Sequence, residues 1–266
     1  MDIHDKIKNK LQQLTGHSSI LLTSSGDAAI ETALSLFSGT VLIPAEGGWL
    51  SYRKLPKKCG LKVVEVACTD AKIVLQDLEQ ALKTHQPAVF LYQNPGGYHA
   101  AQPMKEIYTL CQQYQCQVMM DVSGSIGTKW CNGKYADILV GSFGEWKLVD
   151  AGVGGFISWN DKGLNVTVKE FDDPEKINLI LQKLESLPQR IAFLREKRAA
   201  ITHDLHDFLI INKDDEGFVV VVAYGNAEEK EKIINYCTKS ALDFTECPRY
   251  IRLNRPAISI EVKRLQ

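Results

Sequence analysis

The sequence predicts an α/β protein in which a three-layer α/β/α domain, built on a mostly parallel mixed sheet, is followed by a small α+β domain. From residue 27 to residue 142, helical patterns alternate with short β-branched runs, which is typical of a parallel sheet. After residue 161 the character of the sequence changes. We therefore predict a large domain over residues 1–161 and a small domain over residues 162–266.

The elements of the large domain follow one another closely along the chain. Helical spacing predicts helices over residues 27–37, 50–58, 75–83 and 103–114. Apolar runs predict strands over residues 41–43, 62–66, 88–92, 117–121 and 137–142. These runs do not alternate with polar residues, as expected when helices cover both faces of the sheet. Residues 153–159 predict one antiparallel strand, because the preceding loop is too short for a helical crossover.

The small domain begins with a long helical pattern over residues 174–209 that Pro188 interrupts. A β-α-β unit follows over residues 218–224, 227–240 and 251–262. Pro248 and Pro256 predict that the last of these elements is an edge strand or a broken strand, since proline cannot donate to a sheet ladder.

Composition predicts an ordinary globular protein of the cytoplasm. The 266 residues include 31 Lys and Arg against 32 Asp and Glu, which argues against nucleic acid as a partner. The apolar stretches are strand-sized and the N-terminus is polar, so neither a membrane span nor a signal segment is expected. The seven cysteines form no C-x-x-C pair, which favours reduced thiols and no metal site.

Three segments at predicted sheet ends carry polar groups suited to chemistry. Ser25, Gly26 and Asp27 form a small-residue turn that opens the first predicted helix, where backbone N–H groups can bind an anion. Taken alone, the turn is better explained by helix capping. The second segment is Asp121-Val122-Ser123 at a strand end, where ligands of open α/β sheets bind, although Asp is also a common turn residue.

The third segment runs from Ser142 to Lys147, directly after the next predicted strand. A lysine held among aromatic and small residues can have a lowered ammonium pKa and act as an amine nucleophile towards aldehydes. A solvated surface charge is the competing interpretation. A nucleotide-binding domain is a weaker alternative, because the chain has neither a P-loop nor the G-x-G-x-x-G pattern.

Taken in order, these motifs resemble those of the fold-type I pyridoxal-phosphate enzymes, and in particular the DegT-like aminotransferases. The family's phosphate turn, Asp-x-Ala motif and Ser-Phe-x-x-x-Lys motif correspond to residues 25–27, 121–123 and 142–147. The resemblance spans about residues 20–160. It implies pyridoxal 5'-phosphate as the cofactor and, since fold-type I sites lie at a subunit interface, a homodimer.

The resemblance also implies a role for each matching residue. Lys147 would hold the cofactor as a Schiff base, and Asp121 would keep its pyridine nitrogen protonated. Ser25, Gly26, Asp27 and Ser142 would surround the phosphate, Ser123 would lie near the ring hydroxyl, and Trp49 would stack on the ring, with core packing as the alternative for Trp49.

Three features depart from the family pattern. Asp27 replaces a threonine, and a carboxylate beside a phosphate is repulsive unless it turns away to cap the helix or to orient another group. Ser123 replaces an alanine. The region after residue 161 is shorter than the family's usual C-terminal domain, so substrate determinants could come from a partner subunit.

The resulting expectation is an aminotransferase that acts on a small amino donor and a small acceptor. Arg252, one of three arginines at a spacing of three, is the candidate for binding the donor carboxylate, with a solvated strand edge as its alternative. Another pyridoxal-phosphate reaction (lyase, decarboxylase, or desulfurase using Cys131) and a non-catalytic binding protein of the same fold remain open.

Overall fold

The computed structural model of the chain describes residues 2–160, 166 and 169–266. The first half alternates helices and strands, as expected. Its elements are α1 (Ile3–Thr15), β1 (Ser19–Thr23), α2 (Gly26–Leu34), β2 (Thr40–Pro44), α3 (Leu55–Lys58), β3 (Lys62–Val66), β4 (Cys68–Thr69), β5 (Lys72–Ile73), α4 (Leu75–His85), β6 (Val89–Gln93), α5 (Met104–Gln113), β7 (Gln117–Asp121), β8 (Ile138–Ser142) and β9 (Gly155–Trp159). The predicted boundary at residue 161 lies outside the described residues.

Seven of these strands form a mixed sheet in the order β1-β9-β8-β7-β6-β2-β3. The five strands from β8 to β3 are parallel, and β9 is antiparallel to both β8 and β1, which confirms the predicted return strand. Alternate residues of β6 face different apolar clusters: Phe90 and Tyr92 pack with α1, α4 and α5, whereas Val89 and Leu91 pack with α2. The sheet is therefore the middle of three layers.

The second half contains α6 (Pro174–Glu185), α7 (Leu187–Asp204), β10 (Ile210–Ile211), β11 (Val220–Ala223), α8 (Ala227–Lys239), β12 (Phe244–Arg249) and β13 (Leu253–Ile260). The long helical pattern is interrupted beside Pro188, as predicted, since Ser186 separates α6 from α7. The four strands form an antiparallel sheet in the order β10-β11-β13-β12.

Two predicted elements are corrected by the structure. Residues 50–58 form a 3₁₀ turn (Leu50–Arg53) and the one-turn helix α3, because Pro56 starts a new helix. The last strand is not at an edge: β13 pairs with both β11 and β12. Pro256 is tolerated there because it precedes the β11 pairing and lies where the register with β12 shifts.

Other elements are absent from the predictions. Helix α1 was missed because its sequence is largely polar, with one buried stripe that includes Ile7 and Leu11. The β4–β5 hairpin and strand β12 were also missed. Within the described residues, no helix is both long enough and apolar enough to cross a membrane.

Candidate active site

The sequence-predicted residues of the large domain come together at one end of the seven-stranded sheet. Asp121 and Ser142 are the last residues of the neighbouring parallel strands β7 and β8, so they reach the same sheet edge. A cavity of about 200 Å³ opens there, lined by Ser25, Gly26, Asp27, Ile30, Trp49, Tyr98, Asp121, Ser123, Val140, Gly141, Ser142 and Lys147. Of the nine predicted site residues, Arg252 is the one that does not line it.

The floor of the cavity is the turn that opens α2. Ser25 is the N-cap, and its hydroxyl accepts a hydrogen bond of 3.1 Å from the backbone N–H of Ala28. Gly26 lies directly against Ser142: a Cβ at position 26 would lie 2.6 Å from the Cβ of Ser142. This close approach requires glycine and brings the positive end of α2 beside a serine hydroxyl, an arrangement that suits an anion.

Asp27 turns away from this anion-binding turn. Its Oδ1 accepts a hydrogen bond of 2.8 Å from the indole Nε1 of Trp49, and its Oδ2 accepts one of 2.7 Å from the hydroxyl of Ser51. The carboxylate therefore orients an aromatic side chain at the cavity wall, which is one of the two arrangements that the sequence left open.

Asp121 is buried and held by two donors. The hydroxyl of Tyr52 donates to its Oδ2 at 2.7 Å, and the backbone N–H of Ser123 donates to its Oδ1 at 2.8 Å. Burial, together with the Asp121 charge, raises the pKa of Tyr52 well above its ordinary value, so the phenol stays a proton donor. The carboxylate is thus held in place as a hydrogen-bond acceptor at the cavity wall.

Ser123 and Ser142 connect β7 to β8 at the sheet end. The hydroxyl of Ser123 accepts a hydrogen bond of 2.9 Å from the backbone N–H of Ser142. The hydroxyl of Ser142 accepts one of 3.1 Å from the backbone N–H of Gly144. Both hydroxyl protons are left to donate towards a ligand.

Lys147 reaches the cavity from the loop after β8. Its Nζ donates a hydrogen bond of 2.9 Å to the Tyr98 hydroxyl and lies 4.8 Å from the centre of the Trp49 ring. Burial lowers the pKa of Lys147, but Tyr98 and Asp121 outweigh burial and the net pKa is raised. The expectation of a lowered pKa is therefore wrong for this arrangement, because the sequence did not reveal the tyrosine.

Sequence reasoning missed both tyrosines of the site. Tyr98 has a backbone φ of 66°, in the left-handed region that is costly for a bulky residue, and strain of this kind clusters at functional sites. In the sequence, the available signal was its position shortly after strand β6, at the sheet edge where Asp121 also lies. Tyr52 carried no such signal, because it lies within what the sequence predicts as a continuous helix.

Arg252 is not the free fork that the sequence predicts, nor is it a solvated edge. It is 3% exposed, and its Nη2 donates to both carboxylate oxygens of Glu261 at 2.7 Å. Its Nη1 donates to the carbonyl oxygen of Ile251 at 2.9 Å. The guanidinium nevertheless lies 5.1 Å from the Tyr98 ring centre, close to the cavity.

The alternative based on Cys131 finds no support in this geometry. Cys131 is buried away from the cavity lining, and burial raises the pKa of its thiol to about 12. Among the described residues, no three His, Cys, Asp or Glu side chains are grouped in a way that could hold a metal ion.

A strand-end aspartate, a loop lysine and a helix N-terminus line one cavity in this chain. This is the arrangement expected of the α/β transferases that the sequence resembles. Residues 3–176 match the model of the DegT/DnrJ/EryC1/StrS aminotransferase family. The match covers more than half of the chain, and the chain belongs to this family.

Individual proteins show the same relationship. The chain is 28% identical over 172 residues to the alanine–glyoxylate aminotransferase of Rattus norvegicus, a match that covers 60% of the chain but 41% of the rat enzyme. Two solved structures share the fold at 14% identity: alanine–glyoxylate aminotransferase from Nostoc sp. (TM-score 0.75, covering 98% of this chain and 81% of that one) and 3-amino-5-hydroxybenzoic acid synthase (TM-score 0.77, covering 99% and 86%).

Proposed function

We propose that this protein is a pyridoxal-phosphate-dependent aminotransferase that acts on a small amino donor. The observation that carries the proposal is the position of Lys147 and Asp121 on the wall of one cavity, above a helix N-terminus with no side chain at Gly26. Family membership supports the same reaction class.

The residues present fit the cofactor. Gly26 and Ser142 both line the cavity and lie too close together for a Cβ at position 26, and helix N-terminal N–H groups favour a phosphate. Asp121 offers a buried carboxylate for a pyridine nitrogen, and Trp49 lies over the lysine amine as an aromatic wall. When bound, the cofactor supplies an electron sink for the bonds of the donor's α-carbon.

Each side chain of the site has a definable task. Asp121, held by Tyr52 and Ser123, would keep a proton on the pyridine nitrogen. Ser25, Gly26 and Ser142 would bind the phosphate, while Asp27 keeps its charge away from it. Lys147 Nζ would accept a proton from the α-carbon of the donor and return it later, acting as base and then as acid.

Tyr98 is placed to control that proton. Its hydroxyl accepts from Lys147 Nζ at 2.9 Å and so stabilises the ammonium form. Release of this hydrogen bond would lower the pKa of Lys147 and so favour the neutral amine, which is the form that can accept a proton. Arg252 is not assigned to the donor's α-carboxylate, because it does not line the cavity and its guanidinium is bound to Ser259, Glu261 and the Ile251 carbonyl oxygen.

The rest of the proposal concerns the assembly and its location. We propose a homodimer in the cytoplasm. The absence of any disulfide among the seven cysteines supports a reducing compartment. A partner subunit at this face would cover Trp146, which precedes Lys147 in the sequence and is 45% exposed in the single chain.

The decisive experiment is covalent capture of the cofactor. Protein incubated with pyridoxal phosphate should become yellow, and borohydride reduction followed by peptide mapping should place the adduct on Lys147. Lys147→Ala should abolish the adduct, whereas Lys57→Ala, at an exposed position away from the cavity, should retain it. An adduct on another lysine, or none, would refute the proposal. Turnover of an amino donor then separates an aminotransferase from a protein that only binds the cofactor.

A further inference from the structure

A second buried lysine lies near Lys147, and no motif in the sequence identifies it. Lys263 is on the 3₁₀ turn that follows β13, and its side chain is 6% exposed. The Nζ atoms of Lys263 and Lys147 lie 5.1 Å and 5.3 Å from the centre of the same Tyr98 ring. The narrow space that these three side chains border has no room for a water molecule. Solvent therefore screens little of the repulsion between the two ammonium groups.

The charges around Lys263 do not balance. Its carboxylate partner is Glu261, at 3.3 Å, but the same carboxylate already holds Arg252 at 2.7 Å. Arg264 lies 4.0 Å from Glu261 and has its own partner in Asp243 at 3.4 Å. Within the described part of the chain, one buried carboxylate therefore serves two buried cations, and the cluster keeps one net positive charge.

Two aromatic side chains hold this charge close to Lys147. The Nζ of Lys263 lies 5.9 Å from the centre of the Trp146 ring, in addition to its contact with Tyr98. Trp146 precedes Lys147 in the sequence, and the Tyr98 hydroxyl accepts a hydrogen bond from the Lys147 amine. Both aromatic residues have a left-handed backbone, with φ values of 60° and 66°, and such strain persists only where the surroundings fix it. Lys263 thus faces both residues that position Lys147.

Several charged and titratable groups face Lys147 or line its cavity: Asp27 on α2, Tyr98 after β6, Asp121 on β7, Arg252 before β13, and Lys263. Asp27 is turned towards Trp49 and Ser51. Tyr98 and Asp121 favour the ammonium form of Lys147, and Arg252 opposes it.

The two lysines also act on each other. Burial, with Arg252 and Lys147 nearby, lowers the pKa of Lys263 to about 8 in spite of Glu261. Coupling between two proton-binding groups is mutual, so each ammonium group makes the other easier to deprotonate. Lys263 therefore opposes the effect of Tyr98 on Lys147.

We infer that Lys263 is a positioning residue that controls the proton of Lys147: across the Tyr98 ring, its ammonium group repels the Lys147 ammonium and promotes the neutral amine. The repulsion works against the hydrogen bond by which Tyr98 holds that proton. It ends when Lys263 loses its own proton. The inference rests on the proposed function, because it explains how the base of that reaction reaches its neutral form.

Competitive labelling of cofactor-free protein tests this repulsion. Trace acetic anhydride acetylates neutral amines, and mass spectrometry gives the yield at Lys147 relative to the exposed Lys239 in the same sample. This ratio cancels the ordinary rise of amine reactivity with pH. Wild type, Lys263→Met and Lys263→Arg are compared at pH 7 and pH 9.5. The control is Lys129→Met, which removes a lysine 4.9 Å from the ring centre of Trp130, outside the cavity lining.

Each protein has a distinct expected profile. In wild type the ratio should fall about threefold from pH 7 to pH 9.5, because Lys263 loses its charge in this range and Lys147 then holds its proton more tightly. Lys263→Met should give the low ratio at both pH values. Lys263→Arg should give the high ratio at both, since arginine stays charged. Lys129→Met should reproduce the wild-type fall.

Three results would overturn the inference. The first is a wild-type ratio that does not change with pH. The second is a fall of wild-type size in either Lys263 variant, which together with a lowered melting temperature would assign Lys263 to fold stability alone. The third is a higher ratio in Lys263→Met than in wild type at pH 7, which would mean that Lys263 acts by holding the Tyr98 hydroxyl and not by its charge. If Lys263→Met does not fold, the wild-type fall and its loss in Lys263→Arg still decide the question.

Covalent capture of pyridoxal phosphate separates this inference from the proposed function. If no adduct forms on Lys147, the proposed function fails, whatever the labelling profiles show. If the adduct forms but the wild-type labelling ratio is independent of pH, the role of Lys263 is overturned while the aminotransferase proposal stands.

Discussion

The indole Nε1 of Trp49 donates a hydrogen bond of 2.8 Å to Oδ1 of Asp27. This contact explains why an acidic residue is tolerated in a turn suited to a phosphate, since the carboxylate faces the indole and the Ser51 hydroxyl instead. It also couples two parts of the site that the sequence presents as unrelated, because the turn that opens α2 sets the position of the aromatic wall.

The first prediction concerns this coupling. Asp27→Ala should weaken pyridoxal phosphate binding about fivefold to fiftyfold, because the lost hydrogen bonds, each worth about 1–2 kcal/mol, leave Trp49 unoriented. The measurement is titration of the cofactor absorbance. Ser51→Ala is the control, since it removes the other partner of Asp27 and should have a smaller effect. Tighter binding in Asp27→Ala would show that charge repulsion outweighs the orientation of Trp49.

Asp121 supports the second prediction. Asp121→Asn should retain the cofactor but slow proton abstraction about a hundredfold or more, because a neutral amide no longer stabilises the pyridinium. The rate is read from single-turnover absorbance changes with an amino donor. Tyr52→Phe, which removes one donor to the same carboxylate, should cause a smaller loss. Equal rates in Asp121→Asn and wild type would show that Asp121 has only a structural role at the end of β7.

The third prediction concerns the titration of Lys147. Tyr98 raises the pKa of Lys147 by holding its ammonium form, so Tyr98→Phe should shift the titration of Lys147 to lower pH. Reductive methylation of cofactor-free protein, followed over pH by mass spectrometry of the Lys147 peptide, measures this shift. The control is Tyr108→Phe, because the Tyr108 hydroxyl contacts Asp137 and not Lys147. This variant should leave the pKa of Lys147 unchanged. A shift to higher pH in Tyr98→Phe would contradict the assignment.

The fourth prediction tests the glycine of the phosphate turn. Gly26→Ala should reduce cofactor affinity by about tenfold or more, because the added methyl group would lie 2.6 Å from the Cβ of Ser142 and push the two segments apart. The double variant Gly26→Ala, Ser142→Gly removes that contact and should regain folding stability, measured by thermal unfolding. Failure of the second substitution to raise the melting temperature would place the strain elsewhere.

The fifth prediction is a pH dependence of stability. Although burial opposes ionisation, Arg252 and Lys263 lower the pKa of Glu261 to about 2, against an ordinary value of 4.5. A lowered carboxyl pKa contributes stability that is complete above pH 4.5 and is lost as the pH falls towards 2. The contribution is about 3 kcal/mol at neutral pH.

Unfolding free energies of wild type and Glu261→Gln between pH 2 and pH 7 check this prediction. The difference between the two proteins should be greatest at neutral pH and should shrink between pH 4.5 and 2. A difference that stays constant over this range would show that Glu261 acts by packing and not by its charge.

The sequence alone determined where the strand ends fall and which motifs follow them. Asp121, Ser142 and Lys147 each lie at or just after a predicted parallel strand, and parallel strands end at the same sheet edge, so their convergence followed from local pattern. The predicted break at Pro188 and the antiparallel return strand came from equally local rules.

The tertiary structure decided the partners of these groups. Tyr52 reaches Asp121 across 69 residues of sequence, and Tyr98 reaches Lys147 across 49, so no local pattern encodes either contact. The same holds for β13, whose central position depends on β12 pairing on its outer side. Arg252 and Lys263 share Glu261 because the folded sheet buries them together, and burial sets the pKa values and charge balance that a linear sequence does not contain.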